Sequence, residues 1–225
     1  WEEMGPDNVG GRIRAFLIHR DSGNIWFAGG VSGGLFRSVS SGNSWSPIND
    51  RQENLNVTCI AQTVSGTIFY GTGEGGFVNL SGTRNGSPAF LGAGLYKSTD
   101  GRGVSFTKMT NTSAASFMQC NSMVAHPKED KFYLGTEDGI YEFTNNGGTQ
   151  KKISVGSIKE LKIDKNGVLW ASTGSGSILK MDGAGAMKQM NASVNTGGRT
   201  SLAISPEDPN YVYLMGASGT GAFSG

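Results

Sequence analysis

The side chains able to do chemistry in this chain are few and far apart. His19 and His126 sit at strand ends, beside Arg20 and Pro127, with no serine or cysteine nucleophile pattern near either. Each reads as a turn residue. Cys59 and Cys120 are too few for a disulfide framework or a metal-ligand cluster. Cys59 lies in the alternating run Val57-Thr58-Cys59-Ile60-Ala61 and reads as a small core residue. A Cys59–Cys120 bridge would suit an oxidising compartment, and the sequence leaves that pairing open. Two features have binding chemistry. Asn8-Val9-Gly10-Gly11-Arg12 recurs as Asn195-Thr196-Gly197-Gly198-Arg199. If Arg12 and Arg199 converge, their guanidinium groups would hold a carboxylate or sulfate. The alternative is that Gly-Gly shapes a turn and each arginine pairs with a neighbouring segment. The stretch from Glu74 to Gly92 carries Glu74, Phe77, Asn79, Arg84, Asn85 and Phe90. Aromatic and arginine side chains on a loop make a recognition surface, and a tolerated insertion is the alternative. No motif calls for a metal or any other cofactor.

Composition narrows the function classes. Glycine supplies 36 of 225 residues and charged residues only 16%, against about 7% and about 25% in ordinary globular chains. With 19 basic and 18 acidic residues the net charge is +1. No cationic run is present to displace counterions from nucleic acid or to hold an anionic membrane surface. The apolar runs are far shorter than the ~20 residues of a membrane-spanning helix. The chain opens at Trp1 without a signal peptide, so it is expected to be a processed or partial piece of a larger polypeptide or assembly.

Self-comparison supplies the elements that must position these groups. Five units recur, spanning about 10–50, 55–110, 118–153, 157–192 and 198–225. Each opens with a short alternating strand: Arg14–Ile18, Thr58–Ala61, Ser122–Ala125, Glu160–Ile163 and Ser201–Ile204. Phe16, Cys59, Met123, Leu161 and Leu202 align, as do Ile18, Ala61, Ala125, Ile163 and Ile204, and a period of two puts both columns on one buried face. A turn rich in Gly, Asn, Asp or Pro follows in each unit. A second strand then ends on or near glycine, as in Phe69-Tyr70-Gly71 and Tyr133-Leu134-Gly135. That glycine would let another chain segment approach the backbone closely. No helical period holds over ten residues, and the repeat length suits propeller blades.

The third strands carry a family resemblance. Gly34-Leu35-Phe36-Arg37-Ser38-Val39-Ser40-Ser41-Gly42-Asn43-Ser44-Trp45 resembles the Asp-box (BNR, sortilin-like or sialidase-like) pattern, S-x-D-x-G-x-[ST]-W after a Gly-aliphatic-aromatic strand. Gly94-Leu95-Tyr96-Lys97-Ser98-Thr99-Asp100-Gly101-Arg102-Gly103-Val104-Ser105-Phe106 is similar with one inserted residue, and Gly139 to Thr149 is a worn copy. Lys180-Met181-Asp182-Gly183 is a fourth remnant. The resemblance implies a turn between the third and fourth strands, held by Ser38, Ser40, Gly42 and Trp45, by Ser98, Asp100, Gly103 and Phe106, and by Asn145 and Gly147. Drift from Asp100 to Ser40 and Asn145 keeps a turn cap and discards the charge, which suits scaffold and not reaction chemistry. The opening residues 1–13 and the segment from Gly71 into the loop also resemble propellers of large secreted bacterial proteins.

What the resemblance implies is an all-β propeller of four-stranded antiparallel blades, four blades and part of a fifth, with residues 1–6 a possible closing strand of the last blade and the ring incomplete. For activity it implies little, because the fold hosts glycosidases, receptors and non-catalytic modules alike. Sialidases of this kind need an arginine triad and a Tyr/Glu pair, and their Arg-Ile-Pro motif is here Arg12-Ile13-Arg14. Xyloglucan-cleaving relatives place a catalytic Asp where this chain has Val31, and valine transfers no proton. The expectation is therefore a non-catalytic extracellular or cell-surface module that binds a protein or polysaccharide, without nucleic acid or membrane insertion. A glycoside hydrolase with its acids elsewhere, and an architectural part of a surface or secretion assembly, are the alternatives.

Overall fold

The computed structural model describes residues 12–48, 50–75, 90–190 and 200–216. It is all-β. The first sheet holds β1 (Ile13–Ile18), β2 (Trp26–Gly30), β3 (Gly34–Ser38) and β4 (Ser46–Pro47), and the second β5 (Val57–Gln62), β6 (Ile68–Thr72), β7 (Leu95–Ser98) and β8 (Thr107–Lys108). The third holds β9 (Cys120–Ala125), β10 (Phe132–Thr136), β11 (Gly139–Thr144) and β12 (Thr149–Val155), and the fourth β13 (Ile158–Ile163), β14 (Leu169–Thr173), β15 (Ile178–Met181) and β16 (Met187–Gln189). In the fifth, β17 (Thr200–Ile204) pairs with β18 (Val212–Gly216). Every pairing is antiparallel between consecutive strands, and each sheet's first strand packs beside the next sheet's first strand. The sheets are therefore propeller blades with their first strands innermost.

Each first strand ends on a residue that closes the following turn with its own side chain. His19 Nδ1 accepts the Asp21 N–H, His126 Nδ1 accepts those of Lys128 and Glu129, and Asp164 Oδ1 accepts those of Asn166 and Val168. Thr63 occupies the same place in the second blade, and Ser205 Oγ accepts the Asp208 N–H in the fifth. A short polar side chain competes well for turn N–H groups, which would otherwise lack partners. An imidazole used in this way must be neutral at Nδ1. Burial accordingly holds the His126 pKa below its ordinary value, against the opposing pull of Glu129.

The core lies between blades. Ala15, Ile25, Phe27 and Leu35 of the first blade pack with Val57, Ile60, Tyr70, Tyr96 and Phe106 of the second. Cys59, Phe69 and Leu95 of the second pack with Phe117, Cys120, Met123, Phe132 and Phe143. Stacked rings reinforce both faces, with Tyr70 on Tyr96 at 4.8 Å and Phe132 on Phe143 at 4.7 Å. The first three joints depend on glycine near the end of the second strand. A Cβ on Gly29 would lie 2.5 Å from Val57 Cγ1, one on Gly71 2.7 Å from Cys120 Cβ, and one on Gly135 2.7 Å from Ile158 Cγ2. The residue opening each next blade thus sits where a side chain would be. In the fourth and fifth blades the corresponding positions are the buried polar residues Ser172 and Thr200.

One expectation fails here. Phe16 and Ile18 do not join a common buried column; they are 53% and 48% exposed. Phe16 stands opposite Ala28 whereas Cys59 stands opposite Gly71, the partner position of Ala15. The true equivalent of Phe16 is Ile60, one residue along. Alternate residues of an inner strand face the preceding and the following blade, so the buried set is two columns and not one. Ala15 and Leu17 face the second blade. Phe16 and Ile18 face away from it, where no described blade lies.

Replacing Gly135 by alanine should lower stability by about 1–3 kcal/mol, because the added methyl overlaps Ile158 at a packed joint. Gly23→Ala, with nothing within 4 Å of its Cβ, should stay within about 0.5 kcal/mol. Urea unfolding midpoints of the two variants against the parent check this, and equal midpoints would refute the joint as described.

Candidate functional site

Second-to-third-strand turns and first-strand openings share one end of the axis. In the first, third and fourth blades these turns are tight. The second blade instead sends out the 73–94 connection, and its root is well built. Glu74 N–H donates to Phe90 O at 3.0 Å, forming an isolated antiparallel bridge between the two arms. Gly73 N–H donates to Asn56 O, and Gly92 N–H to Met118 O at 2.8 Å. The Asn54 side chain donates to Leu91 O.

Beneath this root the Glu74 carboxylate is completely buried, and it is held by Arg12 and by Arg14 Nη1 at 2.6 Å. Both arginines come from the opening of the first blade, so the ion pairs cross a joint. Arg14 also donates to Asn121 O. Asn121 Oδ1 accepts the Gly75 N–H at 3.0 Å, while its Nδ2 donates to Ile158 O and to Glu137 Oε1 at 2.7 Å. Glu137 further receives Ser157 Oγ at 2.6 Å and Lys159 Nζ at 2.5 Å. A Cβ on Gly75 would fall 1.8 Å from Glu137 Oε1, so a side chain there would have to displace the Glu137 carboxylate from its bonds. The result is a continuous polar network from the first blade to the fourth. Below it the inner strands line an open pocket of about 440 Å³, with Arg14, Thr58, Asn121, Ser122, Lys159 and Lys162 in its wall.

The electrostatics favour the ionised form of Glu137 and of Asp138. Burial would raise the Glu137 pKa, but Lys159, Ser157 and Asn121 together hold it below its ordinary 4.5. Asp138 is held low by hydrogen bonds from Lys152, at 2.7 Å, and from Tyr141. Neither group has the raised pKa that a general acid at neutral pH needs.

The residues singled out from sequence fall as follows. Glu74 and Arg12 meet each other, and Phe90 lies on the bridge beside them, 45% exposed with Leu91 61% exposed. Glu74 is fully buried, and its two guanidinium partners place it as a support at the root of the loop. Phe77, Arg84 and Arg199 lie outside the described residues, so the convergence of the two duplicated arginines is not described. Val31 is buried, its N–H donating to Arg12 O. Arg14, Asn121, Glu137, Ser157 and Lys159 escaped the sequence reading. A signal existed in the echo of Gly71-Thr72-Gly73-Glu74-Gly75 by Gly135-Thr136-Glu137-Asp138-Gly139.

The third-to-fourth-strand turns are held by local hydrogen bonds. Asp100 accepts four backbone N–H groups, those of Arg102, Gly103, Val104 and Ser105. Burial opposes ionisation, and these four donors outweigh it, lowering its pKa. Phe106 packs edge-on against Tyr70 at 5.0 Å. In the first blade Ser38 Oγ accepts the N–H groups of Ser40 and Gly42, and Ser40 Oγ that of Ser44; Trp45 is half-buried. Ser98 Oγ is buried without a partner among the described residues. The third turn departs from expectation. Its closing bond runs from Gly148 N–H to Asn145 O, and Asn145, Asn146 and Gly147 all have left-handed φ of 51°, 53° and 78°. Backbone geometry there replaces the expected side-chain cap. Gly103 abuts Phe27, and Gly147 abuts Phe69, each in the preceding blade.

No protein-family model matches the chain, and no curated protein matches it. Among solved structures it resembles an ancestral GH74 enzyme, with a TM-score of 0.70 at 19% identity over 91% of this chain and 29% of that one. The extracellular domain of BT4673 from B. thetaiotaomicron superposes at 0.67, with 18% identity over 94% of this chain and 27% of that one. YCF48 from Cyanidioschyzon merolae superposes at 0.65, with 14% identity over 97% and 73%. These likenesses establish the propeller fold, and this chain spans under a third of the length of the first two.

Glu74→Ala should cost about 3 kcal/mol, since it leaves two cross-joint guanidinium groups without their buried counter-charge. Equal denaturation midpoints for variant and parent would refute that role. The lowered Glu137 pKa also sets a pH dependence. Its contribution is complete above the unfolded value near 4.5 and is lost as pH falls through the lower folded value, because the unfolded chain takes up the proton first. Urea midpoints measured across that window should fall less steeply for Glu137→Gln than for the parent.

Proposed function

We propose that this chain is a non-catalytic propeller module that works outside the cell, presenting its channel mouth and the adjoining loop to a polysaccharide or protein at a cell surface. The observation that carries the reading is the root of that loop. Arg12 and Arg14 on the buried Glu74 carboxylate, together with the Glu74–Phe90 bridge, hold exposed Phe90 and Leu91 on a rigid scaffold. Recognition surfaces gain affinity when apolar contacts are ordered before binding. The charged groups around the mouth hold one another, so a neutral, hydroxyl-rich ligand fits it better than a strongly charged one. Glu137 and Asp138, ionised and ion-paired, argue against acid catalysis at this end.

The Asp100 and Ser38/Ser40 turns support membership of the Asp-box propellers, with Asp182 as a further case: its Oδ1 accepts the N–H groups of Ala184 and Ala186. We read the chain as part of a longer propeller. The outward faces of the first and fifth blades support this. Phe16 and Ile18 on one, and Tyr213 and Met215 at 62% exposure on the other, occupy places that neighbouring blades cover elsewhere.

Binding of the protein to a panel of soluble polysaccharides that includes xyloglucan, by calorimetry or array, tests the reading. A saturable ligand should be found, and Phe90→Ala with Leu91→Ala should weaken it by about tenfold or more, corresponding to ~1.4 kcal/mol, while circular dichroism stays unchanged. Release of reducing sugar from any member of the panel would overturn the non-catalytic reading. Undiminished binding by the double variant would overturn the placement of the surface.

A further inference from the structure

We propose that Cys59 and Cys120 are the two halves of a cross-blade disulfide that closes while the chain folds in an oxidising compartment and is inaccessible to exchange afterwards. They are the chain's only cysteines, and they stand on neighbouring inner strands, β5 and β9. The space left by the missing Gly71 side chain brings them together. The point where its Cβ would lie is 2.6 Å from Cys59 Sγ and 2.7 Å from Cys120 Cβ. Cys59 Sγ also lies 3.8 Å from Cys120 O. Cys59 Sγ and Cys120 Cβ therefore border one small space; the two inner strands set the Cβ separation, which a disulfide needs at about 3.5–4.5 Å, and side-chain rotation has only to bring the sulfurs together. In the thiol form the sulfurs make only weak hydrogen bonds, Cys120 Sγ donating to Phe117 O at 3.3 Å.

Burial decides when the bond can form. Both cysteines are free thiols in the folded chain, at 5% and 0% exposure. Thiolate is the attacking species in disulfide exchange, and burial pushes the Cys59 thiol up to about 12. The folded joint is therefore inert, and oxidation belongs to the stage before the second and third blades dock. With oxidised glutathione as the oxidant, one thiolate attacks a glutathione sulfur and expels a glutathione thiolate. The second cysteine thiolate then attacks the protein sulfur of that mixed disulfide and expels the other. Two protein thiols are oxidised to one disulfide, one oxidised glutathione is reduced to two thiols, and two protons pass from the cysteines to the departing thiolates. The bond would close a loop of about 60 residues, long enough to remove much chain entropy from the unfolded state, and it would tie blades at the innermost layer.

The test compares two treatments of the intact protein. Refolded from denaturant in oxidised and reduced glutathione, it should lose about 2 Da, yield a Cys59–Cys120 peptide on non-reducing digestion, and melt about 5–15 °C higher than the reduced protein. Held folded in the same buffer, it should keep both thiols and resist maleimide. Cys59→Ala with Cys120→Ala should melt alike after either treatment. Refolding that yields two free thiols, glutathione adducts without the cross-link, or a cross-linked protein that melts lower than the reduced one would overturn the proposal. Rapid oxidation of the folded protein would overturn the timing.

Discussion

The close approach of one blade to the backbone of the blade before it is the constraint on which this structure rests. Val57, Cys120 and Ile158 each open a blade by filling the space above Gly29, Gly71 or Gly135. Because the residue opening each new blade lands on the end of the previous second strand, the inner strands are set side by side. The polar groups that precede or follow those residues are then forced to one end of the axis. Arg14, Glu74, Asn121, Glu137 and Lys159 come together there for that reason. None is near the others in sequence except through the repeat.

The polar network at the mouth and the apolar joints below it do different jobs. The joints contribute most of the stabilisation, since a fully buried leucine or phenylalanine side chain is worth about 1.5–3 kcal/mol relative to exposure. The network satisfies groups that would be costly if left unpaired, and it specifies where one long connection leaves the scaffold. Gly75, whose N–H donates to Asn121 Oδ1 and which packs against Glu137, ties that departure point to the third blade. The fourth joint differs, with Ser172 Oγ and Trp170 Nε1 buried without partners among the described residues. Burying such groups unpaired has a cost, so this joint is expected to open more readily than the three that precede it.

At the opposite end of each blade, three solutions to one geometric problem stand next to each other. Asp100 takes four N–H groups with one carboxylate, Ser38 and Ser40 divide the same task between two hydroxyls, and the Asn145–Gly148 turn uses left-handed backbone instead. That these coexist in one chain supports the view that the turns are scaffold. Gly103 and Gly147 show why the turn glycine persists when the acid does not, since each must lie flat against an aromatic ring of the preceding blade.

Strand alternation, turn residues and the repeat were legible in the sequence because they depend on neighbours one to four residues apart, and they were enough for the all-β propeller. The role of glycine at the strand ends was legible too, though not which residue each would meet. Placing Cys59 in one column with Phe16, Met123 and Leu161 failed, because a one-residue offset in one repeat becomes decisive only when pairing with the second strand fixes the register, whereas Phe16 is exposed because no described blade covers its face. The burial of Glu74 was likewise hidden. A glutamate that opens a long polar loop looks solvent-facing until two arginines sixty residues away are brought over it. Which blade face each side chain serves, and which polar groups meet at the axis, were settled only by tertiary structure. Those outcomes depend on distances between blades, which local sequence does not encode.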